Sequence, residues 1–223
     1  MKKLNVFTLA AVTLFLTACG GKSTETTTTE EQAVAEKQGE VFAVNLEASK
    51  VDWKAFHKGG FAPRWGTLNL KSGEVSVANG ELTAGDFVIN MQSIKVDSAS
   101  VTEKDKKASE LEAHLKSPDF FNVEKMPTAA FKVTKIADLA TAPADAIEGA
   151  NKTVSGNLTL LGKTLNVTFP AKITVDAAAV SVVAKFIVNR TDWGIKFGSS
   201  TADPAEWLIS KDIEIGIDVK AAK

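Results

Sequence analysis

Cysteine, histidine and tyrosine are almost missing from this chain. One Cys, Cys19, excludes an intramolecular disulfide and any cysteine cluster for zinc or iron–sulfur binding, and two His leave little for an imidazole metal site, so no metal is expected. Tyr is absent beside 12 Phe and 4 Trp, a bias for which we have no physical account. Neither sign of charge prevails: 26 Lys plus Arg stand against 27 Asp plus Glu. Without a basic excess there is no electrostatic footprint for a polyanion, and no nucleic-acid partner is expected. No apolar run reaches the about 20 residues of a membrane-spanning helix. No nucleophile is spaced with a base, Gly59-Gly60 alone makes no phosphate loop, and no fixed-period repeat is present. These absences point away from an enzyme and from a cofactor.

What is present starts with the ends. Lys2 and Lys3 precede an apolar run from Val6 to Ala18, and Cys19 follows at once, a pattern that predicts a signal peptide over residues 1–18. Leu16-Thr17-Ala18-Cys19 resembles a bacterial lipobox. That resemblance implies cleavage before Cys19, a diacylglycerol on its sulfur, and a membrane anchor through the acylated Cys19. Gly20 stands where an Asp would imply inner-membrane retention. The expected location is therefore the cell envelope, at the outer membrane facing the periplasm. Acyl chains hold because each buried methylene contributes about 0.8 kcal/mol. The stretch after Gly20, with Ser23-Thr24-Glu25-Thr26-Thr27-Thr28-Thr29-Glu30-Glu31, is too polar to build a core. Residues 19–39 thus read as a lipidated Cys and a flexible polar tether, ahead of a folded domain over 40–223.

That domain is dominated by alternation of period two, the mark of strands with one buried face. In Leu165, Val167, Phe169, Ala171, Ile173 and Val175 the apolar row is complete, with Asn166, Thr168, Pro170, Lys172 and Thr174 between. The last segment, through Ile209, Ile213, Ile215, Ile217 and Val219, repeats it, interrupted at Lys211. Further strands are expected over Val41–Leu46, Val51–His57, Thr67–Val77, Leu82–Ile94, Ala129–Ile136, Thr153–Leu161 and Val180–Asn189. Turn residues at Asn79-Gly80, Gly162-Lys163 and Asp176–Ala179 separate them by hairpin distances, so neighbours are antiparallel. Pro170, inside the best strand, predicts an edge, bulge or bend. Glu103–Leu115, free of Gly, Pro and alternation, reads as a helix of about three turns ending before Ser117-Pro118. Strands this long favour a barrel over a sandwich, with an interior either filled by side chains or open to one slender ligand.

Three ordered stretches carry a family resemblance. His114-Leu115-Lys116-Ser117-Pro118-Asp119-Phe120-Phe121-Asn122-Val123, followed by Met126-Pro127 and Phe131, resembles the signature of the YceI-like family. Val154-Ser155-Gly156-Asn157-Leu158-Thr159-Leu160-Leu161-Gly162-Lys163-Thr164 and Asn189-Arg190-Thr191-Asp192-Trp193-Gly194 follow in the same order. Met126 stands where an aromatic commonly precedes the Pro, and Leu111-Glu112 replace an Arg-Asp pair. The resemblance implies an all-β fold, an extended antiparallel lipocalin-like barrel of about eight strands with one short helical insertion. It also implies a long-chain lipid ligand of polyisoprenoid type in the apolar interior.

Alternation aims particular side chains inward, and these are the expected ligand-binding residues. They are Trp53 on one strand, then Phe87, Ile89 and Met91, then Phe131 and Val133, with Leu158 and Leu160 after them. Val167 and Phe169, Phe186 and Val188, and Ile213, Ile215 and Ile217 complete the set. Asp119 is expected to accept backbone hydrogen bonds, and Arg190 with Asp192 to form a polar pair that fixes the fold. The expected function is to bind, store or carry a long-chain apolar lipid, isoprenoid or quinone-like, without chemistry. Two other classes fit the same residues: a hydrolase using His57 or His114, and an envelope lipoprotein whose filled barrel acts through protein contacts. Nothing in the sequence specifies an oligomeric state.

Overall fold

Alternation along the chain becomes a cylinder. The computed structural model describes residues 26–57, 60–200 and 208–223; the signal peptide expected over 1–18 and Cys19 lie outside the described residues. The strands are β1 (Thr28–Thr29), β2 (Glu40–Val44), β3 (Lys50–His57), β4 (Arg64–Ala78), β5 (Glu81–Val96), β6 (Thr128–Asp138), β7 (Lys152–Leu160), β8 (Lys163–Val175), β9 (Ala179–Asn189) and β10 (Ile209–Ala222). From β3 onward each pairs antiparallel with the next, and β10 returns to β3. The result is the expected closed antiparallel barrel of eight strands. β2 adds no ninth position, because it shares its neighbours β4 and β10 with β3. The two form one lane broken at residues 45–49, where the Asn45 side chain accepts from the backbone N–H groups of Glu47 and Ala48.

Local chemistry sets the joints. Asn79 (φ 54°) and Gly80 (φ 79°) make the two-residue hairpin between β4 and β5, both in the left-handed region that such a turn requires. The β7–β8 turn falls one residue earlier than expected, on Leu161 (φ 49°) and Gly162 (φ 75°), with Leu160 opposite Lys163. Leu161 holds this unfavoured conformation while packing against the core. Lys211 breaks the inward row of β10, and the β10–β3 register shifts between Ile209 and Ile213, leaving Lys211 exposed.

The helix is shorter than its sequence suggests. It spans Ala108–Lys116 (α1), and residues 103–107 are not helical. Arg64 explains the late start: its guanidinium bonds the Ser100 carbonyl at 2.7 Å and pairs with Glu103, holding this stretch across the end of β4. α1 then docks on β5 through Glu112, which accepts from the Val96 backbone N–H at 3.1 Å and pairs with Lys95 at 3.2 Å. Burial pushes the Glu112 carboxyl up, and these two partners outweigh it, leaving it below its ordinary value.

Two seams in the barrel are incomplete, and β5 and β6 pair only from Asp86 opposite Lys132 to Asn90 opposite Thr128. β8 and β9 pair only from Ala171 opposite Ala184 to Val175 opposite Val180. Ala171 and Ile173 turn their backbone groups toward β7, where both bond Asn151. Pro170, one residue over, therefore faces β9 where the ladder has just ended, and its missing N–H costs nothing there. The opening is filled by the segment before the barrel. Thr28 and Thr29 pair with Val167 and Asn166 of β8, and the Thr26 N–H donates to the Ile187 carbonyl of β9 at 3.1 Å.

From the seam this segment runs along the outside of the barrel as a strap. Gln32 exchanges two hydrogen bonds with the Asn157 side chain, at 3.0 and 2.7 Å, and the Ala35 N–H donates to the Val133 carbonyl at 2.9 Å. Gln38 bonds Thr83, and Lys37 pairs with Glu74. Asn157 and Asn166 are consequently 3% and 4% exposed although they face outward. The flexible tether expected over 19–39 is thus, from Thr26 on, bound to the barrel. Its composition supplies no apolar core, yet its amide and hydroxyl groups satisfy donors and acceptors that the open seam leaves unpaired.

Asn157→Ala should therefore lower stability by about 1–3 kcal/mol, because Gln32 and Asn166 lose a buried partner together. Denaturant titration of this variant beside the exposed control Lys172→Ala, expected near neutral, measures it. Likewise, a chain beginning at Thr26 should melt as the longer chain does, and one beginning at Gly39 at a lower temperature while keeping a β-type circular dichroism spectrum.

Candidate binding site

The inward faces of the strands do not meet at the centre. They enclose a cavity of about 560 Å³, within the size range of small-molecule sites. Every expected inward residue lines it except Val167. Val167 faces the same way as Phe169 but is fully buried and does not reach the open space. Alternation fixes the side a residue faces, whereas the bulk of its neighbours decides whether it touches open volume. Lining residues that the sequence reading did not single out include Val51, Leu68, Leu70, Leu82, Ile94 and Val182. Their alternation is as regular as that of the chosen ones and could have found them.

An aromatic belt runs along one wall. Phe87 of β5 and Phe131 of β6 have ring centroids 6.4 Å apart, Phe131 and Phe169 of β8 are 5.8 Å apart, and Phe169 stacks on Phe186 of β9 at 4.0 Å. Phe131 and Phe169 are separated by β7, and they meet because β7 presents Gly156 between them. A Cβ at Gly156 would overlap the Phe131 ring. The Phe169–Phe186 stack spans the two strands that part at the seam, closing it from inside while Thr26–Thr29 fill it from outside. Trp53 also lines the cavity and satisfies its indole N–H on the Lys95 carbonyl at 3.2 Å, so its polar tip costs nothing.

Charge in the lining is confined to one end. Arg64, Glu103, Lys106, Lys107, Glu110 and Arg190 contribute there, with His57 and His114. Glu103, Lys106, Lys107 and Glu110 are exposed, so the cavity reaches the surface beside α1. Leu111 and Leu115 of α1 turn inward over this mouth. At the opposite end Phe42, Val75 and Val77 are buried and seal the barrel.

The family motifs build the mouth. Arg190, 3% exposed, donates to the carbonyls of Ser210, Ile195 and Ile209, tying β9 to β10, while burial pushes its guanidinium below its ordinary value. Asp192 is not its partner: its carboxylate accepts from the Thr28 hydroxyl at 2.8 Å and its carbonyl from Lys163. The expected Arg190–Asp192 pair is thus two separate ties, since the short helical turn over Arg190–Trp193 turns the two side chains apart. Trp193 donates to the Leu158 carbonyl at 3.0 Å. Asp119, expected to accept backbone N–H groups, instead faces His114 Nε2 at 3.1 Å, and its own N–H donates to Ser117. His114 also lies edge-on to Phe120 and Phe197, with centroids 5.0 and 4.8 Å away.

Among the described residues the two imidazoles have different partners. His57 stacks on Phe61 at 5.3 Å, and its buried Nδ1 has no hydrogen-bond partner. Among the described residues no hydroxyl bonds either His, and no group of three or more His, Cys, Asp or Glu is placed to hold a metal ion.

The YceI-like domain model matches residues 42–221. The chain is 34% identical over 93 residues to a UPF0312 protein of Pseudomonas aeruginosa strain LESB58, covering 40% of this chain and 44% of that one. It is 29% identical over 131 residues to a UPF0312 protein of Vibrio cholerae serotype O1, covering 55% and 61%. The matches span about half the length of these curated relatives. Among solved structures it resembles Burkholderia cenocepacia BcnA, with a TM-score of 0.58 at 18% identity over 80% of this chain and 99% of that one. It also resembles a polyisoprenoid binding domain from Saccharophagus degradans, with a TM-score of 0.52 at 16% identity over 81% and 97%. At these identities the likeness speaks for the fold. With the family match running from β2 to β10 across all three motifs, the chain belongs to the YceI-like family.

Proposed function

We propose that the barrel binds and carries a long, slender apolar molecule with an isoprenoid or quinone-type tail, without altering it chemically. The observation that carries this reading is the cavity itself, about 560 Å³ with aliphatic and aromatic walls and charge only at the mouth. An apolar tail fits the walls, and a more polar head fits the end where Arg64, Lys106 and Lys107 lie. At about 25 cal/mol per Å², burying roughly 400 Å² of chain gains about 10 kcal/mol before ordering costs. Selectivity among long apolar chains should be poor, because one methylene is worth only about 1–3 kcal/mol. The Saccharophagus degradans domain, described as polyisoprenoid binding, supports the ligand class. The lipobox-like Leu16-Thr17-Ala18-Cys19 supports an envelope lipoprotein, anchored at the outer membrane and facing the periplasm. The open cavity speaks against a filled barrel acting through protein contacts alone.

Solvent extraction of the native protein followed by mass spectrometry should release a long-chain apolar lipid; an empty extract from a protein that also fails to bind a fluorescent polyprenol would overturn the reading. Phe169→Lys should abolish that binding, since an ammonium among the rings costs several kcal/mol, while Thr168→Lys on the outer face should bind normally. Gly156→Val should displace Phe131, lowering both the melting temperature and the capacity for long chains. Cys19→Ser should leave the chain unprocessed and without lipid by mass spectrometry, and a variant still processed and membrane-bound would sink the acylation.

A further inference from the structure

Three of the large apolar side chains that the fold leaves exposed gather at the mouth. Phe61, 48% exposed, follows β3 and stacks on His57; Phe197, 44% exposed, follows β9 and packs on His114 and Phe120. Met126, 39% exposed, precedes β6 and lies beside the β7–β8 turn. His57, His114 and Phe120 line the cavity, so this exposed apolar rim is continuous with the wall. Among the described residues the rim's exposed charges nearly balance, with Lys104, Lys106, Lys107, Lys125, Lys163 and Lys196 against Glu103, Asp105, Glu110, Asp119 and Glu124.

The strap says what faces this rim. It begins at the same end, where Thr26 bonds Ile187 near the end of β9 and Thr28 bonds Asp192 beyond it. Only seven residue steps separate Thr26 from Cys19, a reach of at most about 25 Å for extended chain. The barrel is taller than that. β8 has 13 residues, and at roughly 3.3 Å each with a tilt near 40° it rises about 33 Å. An anchor at Cys19 cannot easily bring the sealed end to a membrane, whereas the mouth lies within its reach.

We propose that the rim formed by Phe61, Met126 and Phe197 docks on a lipid bilayer, so that the mouth opens onto the surface to which the anchor holds the chain. This rests on the lipoprotein reading above. An apolar ligand then passes between bilayer and cavity without crossing water. Because rim charge is nearly balanced, docking works by inserting apolar side chains rather than by attraction to anionic lipid, and it should depend little on salt.

The test uses the acylated full chain in phosphatidylcholine vesicles. Acylation consumes the single native thiol, so a bimane can be placed at Lys125→Cys on the rim or at Ala177→Cys in the β8–β9 turn of the sealed end. Phosphatidylcholine brominated on its acyl chains should quench the rim label at least threefold more than the sealed-end label, in low and high salt alike. Phe61→Asp with Met126→Asp should erase that difference and slow transfer of a fluorescent polyprenol from protein to vesicles about tenfold, with melting temperature unchanged. Equal quenching of the two labels, with Cys19 acylated by mass spectrometry, would mean that a second copy or a protein partner covers the rim; it overturns the docking and leaves the carrier reading intact. An unacylated Cys19 overturns the anchor and the docking with it.

Discussion

The closed ladder of backbone hydrogen bonds governs everything else in this molecule. Each lane from β3 to β10 has a neighbour on both sides, so strand edges are satisfied and the radius is set by strand number and tilt rather than by packing at the centre. A bundle or sandwich with the same apolar residues would close onto itself. Here the side chains are held apart by the wall that carries them, and an unfilled interior follows. Where the ladder opens between β8 and β9 it is repaired from both faces, by Thr26–Thr29 outside and by the Phe169–Phe186 stack inside, and where it opens between β5 and β6 the strap bonds the Val133 carbonyl.

That repair couples the segment before the barrel to the cavity. Asn157 joins the strap to Asn166 on β8, and Thr28 joins it to Asp192 at the mouth. Gly156, next to Asn157 in the chain, lets Phe131 reach Phe169 across β7. Consecutive residues of one strand therefore serve opposite faces, one shaping the ligand wall and the other binding the strap. An apolar cavity of this kind holds water poorly, which favours its occupation by an apolar chain.

The three motifs that carry the family resemblance serve the architecture of the mouth more than contact with a ligand. Arg190 spends its donors on three carbonyls, Trp193 reaches Leu158, and Leu115, Phe120 and Val123 are buried beneath the rim. The residues that line most of the cavity are ordinary Val, Leu, Ile and Phe, replaceable by one another within limits of volume. Recognition of the family and identification of the site thus rest on different residues.

Strand alternation located nine strands and the side on which Phe169, Ile215 and Met91 lie, because a period of two is a local property of extended backbone, and the hairpin-length turns between them gave the antiparallel order. The sequence likewise marked Pro170 and Lys211 as interruptions. It could not show that β2 and β3 share one lane, that Arg64 would shorten the helix by holding Ser100 and Glu103, or that Val167 would be packed away from the open volume. Least visible was the strap: a run of Thr, Glu and Gln has few apolar groups, and only the open edges of β6, β8 and β9 and the outward Asn157 give its hydrogen-bonding groups somewhere to bind. Local pattern determines which way a side chain faces; which distant segments must satisfy one another's open hydrogen bonds is decided only when the barrel closes.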